Sequence, residues 1–533
     1  MMFKKSSVFS LLIVAVVGVL LFMPVFMSSA DAAGPKKGGV FTMPLRGNPK
    51  MWPMQGGLYN ILVNKVIYSS LIRYDREDLH PTGDLAESFS VSSDGLVWTF
   101  RLKKNVKWHD GTPFTAADVK WTFDTYTSPE VVYFRKRALK DLIKTEIVDD
   151  YTVKMHTKKP NASFPVLLGY LVNILPKHKL GNLSPKELVN PTEFLRHPIG
   201  TGPFKFAEFV PGSHLKVVAN KEYFDGLPYI DAVIYKIIRD IDAQIAQAQT
   251  GQLDLVIIEP HQVPAVEKNP NLRIDLAKQV NYSYIGLRNT HPLFKDRRVR
   301  QALNFAIDKE AILKNIYKGM GTISNGPISP ILDWVYYPNV KQYLHDPEKA
   351  KALLKEAGWT PGPGGILHKD GKPFKFTLLV DKGNPVREQL AVVAQDYWRR
   401  IGLDVKIETG EFAKILKMVR DPNPTYDAYV MWYIHPPDPD LIEYYGCGAG
   451  VMNMYQYCNP EADKLMEAGR STFDRAKRAE IYKKFQEIIA EDAPNVYLYF
   501  PSEIRAINKR VMNYPKIGYR DASIYLNQIW LEK

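Results

Sequence analysis

Val106-Lys107-Trp108-His109-Asp110-Gly111-Thr112-Pro113-Phe114-Thr115-Ala116-Ala117-Asp118-Val119 holds a turn, a helix start and three aromatic or imidazole rings in one short run. Gly111 and Pro113 punctuate the middle, so His109-Asp110-Gly111-Thr112-Pro113 reads first as a turn, although His109 beside Asp110 resembles a catalytic pair on paper. Thr115 and Asp118 have capping-box spacing and predict a helix that turns Val119 and Phe123 inward. Upstream, Ser93-Asp94-Gly95 fits a hairpin turn leading into a strand over 96–102. Working outward, a strand is predicted over 253–258 and another over 374–380. Asp346-Pro347 predicts an N-cap with Pro at N1, with Ala350, Leu353, Leu354 and Ala357 on one face and Gly358 closing the helix. Residues 308–319 repeat that pattern, with Ile312, Leu313 and Ile316 inward. Turn-rich breaks fall at 324–330, 360–373 and 420–425. The chain is mixed α and β throughout, without internal repeat or low-complexity tract.

The N-terminus has the layout of a secretory signal peptide: Lys4 and Lys5, an apolar stretch from about Val8 to Met27, then Ser28, Ser29, Ala30, Ala32 and Ala33. Ala30-Asp31-Ala32 offers small side chains at −3 and −1, so 1–32 is read as a signal peptide cleaved after Ala32. An uncleaved anchor is the alternative, since the apolar run is long enough to span; Pro24 interrupts it. No cysteine lies near the junction, so no lipoprotein attachment is expected, and no later segment is long and apolar enough to cross a bilayer. These features predict export to the periplasm.

With 533 residues the chain exceeds what one core usually supports, so two or three domains are expected. The net charge of +13 is scattered as pairs and triplets such as Lys103-Lys104, Arg297-Arg298 and Arg399-Arg400. A nucleic-acid reader concentrates charge on one face or tail, so a solvated basic surface and no nucleic-acid partner are expected. Cys447 and Cys458 are the only cysteines; in an oxidising compartment they read as one disulfide, worth about 2–3 kcal/mol for so short a loop. A metal site is the alternative, but a lone C-x10-C lacks a second ligand pair.

Catalytic signatures are missing. There is no G-x-S-x-G, H-E-x-x-H, Walker-type loop or C-x-x-C, and the 11 histidines show no metal-ligand spacing. Gly446, Gly448 and Gly450 form G-x-G-x-G without the flanks of a dinucleotide site. No enzyme activity, cofactor or metal is therefore expected.

Several strings recur in order: Leu85-Ala86-Glu87-Ser88, the 93–100 and 106–119 runs, Gly200-Thr201-Gly202-Pro203-Phe204, Phe224-Asp225-Gly226 with Pro228-Tyr229-Ile230-Asp231, 294–303, 352–359, and Cys458-Asn459-Pro460-Glu461-Ala462-Asp463. Together they resemble the family 5 extracellular solute-binding proteins of ABC importers, the peptide, nickel and opine class. The resemblance implies the large, three-domain form of the type II periplasmic-binding-protein fold: two α/β lobes around a hinged ligand cleft. Mapped here, lobe I is 34–285 with an extra subdomain at about 75–200, lobe II is 286–497, and 498–533 returns to lobe I. It also implies a monomer that takes a small solute, an oligopeptide or peptide-like compound first of all, and hands it to membrane permease subunits. An oligosaccharide, an opine-like conjugate or a nickel chelate are alternative ligands; a chemosensory ligand presenter and a hydrolase are alternative roles. The strings themselves read as punctuation of the fold, with Gly111, Gly202 and Gly226 at turns and Arg297, Arg298 and Arg300 leading a helix and pairing with surface carboxylates.

Peptide-binding relatives carry a tryptophan followed three residues later by an aspartate for the peptide's amino terminus. In Met431-Trp432-Tyr433-Ile434-His435-Pro436-Pro437-Asp438-Pro439-Asp440, Trp432 keeps the first place and His435 holds the second. Asp438 either supplies the missing carboxylate or caps a helix with Pro439 at N1, with Asp440 facing the helix dipole. Trp432 and Tyr433 are stacking candidates, with a core role for Trp432 as the alternative. Family topology adds Trp52, Gln55 and Tyr59 after the first strand, Asn281, Tyr282 and Tyr284 before the crossing, Asn325, and Asn384 with Arg387, whose guanidinium suits a ligand carboxylate.

Overall fold

The structure is a computed structural model that describes residues 34–518 and 522–532. The leader expected at 1–32 lies outside the described residues. Four sheets organise the chain. The first runs Val40–Leu45, Ala232–Ile237, His214–Ala219, Phe204–Val210, with the outer pair Val40–Leu45 and Ala232–Ile237 parallel. An antiparallel four-stranded sheet, Ala86–Val91, Val97–Leu102, Thr152–Thr157, Leu142–Asp149, carries the 106–119 run beside it. A six-stranded mixed sheet runs Gly321–Ile323, Asn495–Pro501, Tyr282–Leu287, Ala428–Tyr433, Lys375–Asp381, Asp404–Gly410. The fourth pairs Leu255–Ile258 and Leu272–Ala277 on either side of Glu503–Asn508.

Two neighbouring antiparallel runs link the third and fourth sheets. Leu272–Ala277 leads through 278–281 into Tyr282–Leu287, and Asn495–Pro501 leads through Ser502 into Glu503–Asn508. The chain thus crosses between the two sheets twice at nearly the same place.

Local signals in the sequence formed the elements they predict. The Thr115 side chain accepts from Ala117 N at 3.3 Å and the Asp118 carboxylate accepts from Thr115 N at 3.0 Å, starting the helix Ala116–Thr127. Val119 and Phe123 are fully buried against Trp98, Phe100, Trp108 and Phe114. Asp346 accepts from Lys349 N and Pro347 opens the helix Pro347–Glu356. Asp308 caps Lys309–Asn315, a helix shorter than the stretch 308–319 allowed. The expected break at 360–373 instead contains a small sheet of Thr360–Pro361, Leu367–Lys369 and Lys372–Pro373, turned by Gly364, Gly365 and Gly371 at positive φ. Cys447 and Cys458 are joined as a disulfide.

Three readings need correction. Gly202 is not a turn glycine: its φ is ordinary, and a Cβ there would lie 2.4 Å from Val66 O, as one on Gly200 would lie 1.9 Å from Ile67 O. These glycines permit backbone to pack on backbone, whereas Gly111 and Gly226 do sit at positive φ. Arg300 is not on the surface. It lies in the helix Arg297–Phe305 and is 6% exposed; Arg298, whose side chain is exposed, does pair with Asp296 at 2.7 Å. Asp438 starts no helix; the next one is Ile442–Tyr445, with Leu441 at its N-cap. The Asp438 carboxylate instead accepts from Asp440 N at 2.9 Å and from the Arg478 guanidinium, because a buried carboxylate is drawn to a full counter-charge in preference to a helix end.

His109 and Asp110 are structural. His109 Nδ1 accepts from Gly200 N at 3.2 Å, its Nε2–H donates to Gly202 O at 3.0 Å, and Asp110 pairs with His178 and Lys179. Burial pulls the imidazole down to about 4, below the ~6.5 of an unfolded histidine. The unfolded chain therefore takes up a proton first. Stability from this group is complete above pH ~6.5 and falls as pH drops toward 4, by about 3 kcal/mol at the limit. His109→Asn is expected to remove that slope. Urea-unfolding free energies of both proteins between pH 7 and 4 check it, and parallel slopes would disprove it.

Candidate functional site

A cleft of about 420 Å³, open to solvent, lies where the two crossings meet the third and fourth sheets. One wall comes from the first strand and the helix Leu58–Ile67, through Arg46 and Tyr59, and from the end of Leu255–Ile258, through Ile258 and Glu259. The crossings contribute Lys278, Asn281 and Glu503. The opposite wall carries Trp432 and Ile434, with Asn384 and Arg387 at the start of the helix Pro385–Arg400.

The alternation of the strand Ala428–Tyr433 explains the split between neighbours. Trp432 is 40% exposed and faces the cleft, whereas Tyr433 points the other way and is buried. Tyr433 belongs to a packed layer of phenol rings with Tyr282, Tyr284 and Tyr444. Within it the hydroxyls of Tyr282 and Tyr445 are 2.9 Å apart, those of Tyr445 and Tyr497 2.8 Å, and those of Tyr284 and Tyr429 3.1 Å. Burial lifts the phenols of Tyr282, Tyr284, Tyr429, Tyr433, Tyr445 and Tyr497 above their ordinary range, so they stay neutral donors and acceptors.

Arg387 is the most unusual group in the cleft. Asn384 Oδ1 caps its backbone N–H at 3.0 Å, and its Nη2 donates to Asp381 at 2.8 Å. The side chain is only 10% exposed, its guanidinium stands 5.6 Å over the Phe412 ring, and among the described residues Nε and Nη1 have no hydrogen-bond partner. Burial works against its charge, while Asp381 and Glu259 support it; a guanidinium so placed remains protonated. Burial raises the Glu259 carboxyl, opposed by His261, Arg387 and Arg46. The cleft is thus lined by the Arg387 guanidinium on one wall and, on the other side, by the carboxylates of Glu259 and of Glu503, the latter paired with Arg505 at 2.8 Å, between apolar and aromatic surfaces.

Of the residues named from the sequence, the cleft brings together Tyr59, Asn281, Asn384, Arg387 and Trp432. The others lie elsewhere. Trp52 is buried with Nε1 donating to Leu188 O, and Gln55 donates to Val189 O. Tyr282, Tyr284 and Tyr433 form the phenol layer behind the cleft. His435 is 1% exposed, with Nδ1 2.7 Å from Pro436 O and Nε2 3.2 Å from Pro327 O. Asn325 lines a second hollow of about 180 Å³, where it accepts from Lys309 Nζ at 3.0 Å; burial pulls that ammonium down to about 7. Asp438 is tied to Arg478 and Ser163. Arg46, Glu259, Lys278 and Glu503 were not named. For Glu259 a signal existed, a charged residue directly after the strand predicted over 253–258. Among the described residues no group of three or more His, Cys, Asp or Glu is placed to hold a metal ion, and no helix is long and apolar enough to cross a membrane.

The model of "Bacterial extracellular solute-binding proteins, family 5 Middle" matches residues 80–451. The oligopeptide-binding protein AppA of Bacillus subtilis (strain 168) is 34% identical over 538 residues, covering 97% of this chain and 98% of the relative. The solved structure of AppA from Bacillus subtilis in complex with a nonapeptide superposes with a TM-score of 0.79 at 35% identity, covering 94% of this chain and 100% of that one. NikZ from Campylobacter jejuni in complex with Ni(L-His) superposes at 0.77 with 27% identity, covering 91% and 98%. The architecture is accordingly the two-lobe α/β fold of periplasmic binding proteins, and the chain belongs to the bacterial extracellular solute-binding proteins of family 5.

Proposed function

We propose that this chain is an exported receptor, and not an enzyme, that takes an oligopeptide or peptide-like solute into the cleft and delivers it to the membrane permease subunits of an ABC importer. The observation that carries the reading is Arg387: a nearly buried guanidinium with two unfilled donors, facing a cleft that also holds Glu259, Glu503 and Trp432. A zwitterionic, partly apolar chain satisfies donors, carboxylates and rings together, and an unfilled buried donor is costly until it is met. The nonapeptide held by AppA, a relative matched along almost the whole chain, supports the same choice. The lobes read from the sequence, 34–285 with 498–533 and the subdomain near 75–200 against 286–497, would turn on the crossings at 278–281 and 502. The protein acts as a monomer without nucleic acid, and the leader 1–32 is removed on export to the periplasm without lipid attachment.

Native mass spectrometry of the gently purified mature protein identifies what it carries, and calorimetry with peptides of graded length measures it. A peptide mixture is the expected cargo; a single sugar or a metal chelate such as nickel–histidine overturns the reading. Trp432→Ala is expected to weaken peptide binding about tenfold, from the lost stacking surface, and unchanged affinity removes Trp432 from the site.

A further inference from the structure

Asp438 and Asp440 follow Trp432 on one chain segment but face away from the cleft, into a buried charged cluster. Asp438 pairs with Arg478 at 2.6 and 2.8 Å, and Asp440 with Arg470 at 2.6 Å. All four residues belong to the part of the chain read as lobe II. The fifth member does not. Ser163 Oγ donates to Asp438 at 2.9 Å and lies 2.8 Å from Arg478 Nη2, and Ala162 N donates to Arg470 O at 2.7 Å. Ser163 precedes the helix Phe164–Leu171, whose neighbour in space is the strand Ile72–Tyr74 of the first lobe. Beside these bonds Phe473 meets the Trp98 ring edge-on at 5.8 Å. Ser163, Asp438 and Arg478 are all under a tenth exposed.

We infer that the Ala162–Ser163 contact with Asp438, Arg470 and Arg478 is an interlobe latch, made when the lobes shut and broken when they part. Its strength sets how much of the ligand-free protein rests closed. The inference rests on the two-lobe capture reading, but not on the identity of the cargo. The Asp438–Arg478 and Asp440–Arg470 pairs are internal to one lobe and survive opening. What opening removes is the serine hydroxyl and the Ala162 bond, and it admits water to two ion pairs that the closed form keeps dry. Because the Ser163 side chain makes no cap bond to its own helix, removing the hydroxyl leaves that helix start intact. A ligand held only by the closed form binds more weakly in proportion to any fall in the closing constant.

Ser163→Ala and, independently, Phe473→Ala in the full mature chain test the latch. Loss of one hydrogen bond to a charged group shifts such an equilibrium about tenfold or more. Ser163→Ala is expected to enlarge the ligand-free protein in small-angle scattering, to speed amide exchange at 161–164, and to weaken a co-purified or peptide ligand about tenfold through faster release. Phe473→Ala is expected to move all three readouts the same way. If peptide proves not to be the cargo, scattering and exchange still decide the matter without ligand. Unchanged ligand-free dimensions and exchange in both variants overturn the latch, as does a loss of thermal stability with affinity intact, which marks an ordinary packing contact.

Discussion

Arg387→Met is expected to weaken capture of a free-acid peptide by about 100-fold or more. Two donors of this guanidinium are buried without a partner among the described residues, and truncating a buried hydrogen-bonded charge at an interface costs about 2–5 kcal/mol. Arg387→Lys keeps a positive charge near Asp381 but loses the flat fork, so an intermediate loss of about tenfold is expected. The variants also disturb Asp381, whose carboxyl burial already raises and which Arg387 holds down. Thermal unfolding of the ligand-free proteins therefore accompanies calorimetry. A peptide series with free and amidated carboxyl termini isolates the role: amidation is expected to cost the wild type and to cost Arg387→Met nothing further. Equal affinity of the wild type for acid and amide would assign Arg387 to peptide carbonyls instead of the terminus.

Much of the frame was legible because its signals are local. Thr115 and Asp118 lie three residues apart, Asp346 and Pro347 are adjacent, and each pair specifies a helix start through bonds to its own backbone. The order of the short strings was enough for the family. The cleft was harder. Trp432 and Tyr433 are equally good rings on one strand, and only pairing with Tyr282–Leu287 decides which face meets solvent. Asp438 and Arg300 were misread because the groups that hold them are remote in sequence: Ser163 lies 275 positions from Asp438, and Asp492 lies 192 from Arg300. Their local contexts, Asp before Pro and Arg in a basic run, pointed to a cap and to a surface. Tertiary electrostatics overrode both.

The same override makes Arg300 a buried clamp between two remote parts of the chain. Its Nη1 donates to Phe294 O at 2.7 Å and Lys295 O at 3.1 Å, its Nη2 to Asp492 O at 2.7 Å, and its Nε to Asp492 O and Ala493 O. It thereby clamps the end of the helix Arg475–Asp492, where Ala493 sits at φ 46, to the turn before its own helix. Burial depresses the guanidinium's pKa and Asp492 opposes that fall; carbonyl oxygens do most of the solvating. Arg300→Met fills much of the volume but takes the donor from four carbonyls, those of Phe294 and Ala493 buried and those of Lys295 and Asp492 half-buried. At about 1 kcal/mol or more for each unmet group, the variant is expected to lose about 3–5 kcal/mol, with Arg300→Lys recovering only part because one ammonium cannot reach both turns. Denaturant unfolding followed by tryptophan fluorescence reads the loss. A midpoint for Arg300→Met equal to wild type would mean that water takes over these carbonyls and that the clamp contributes nothing.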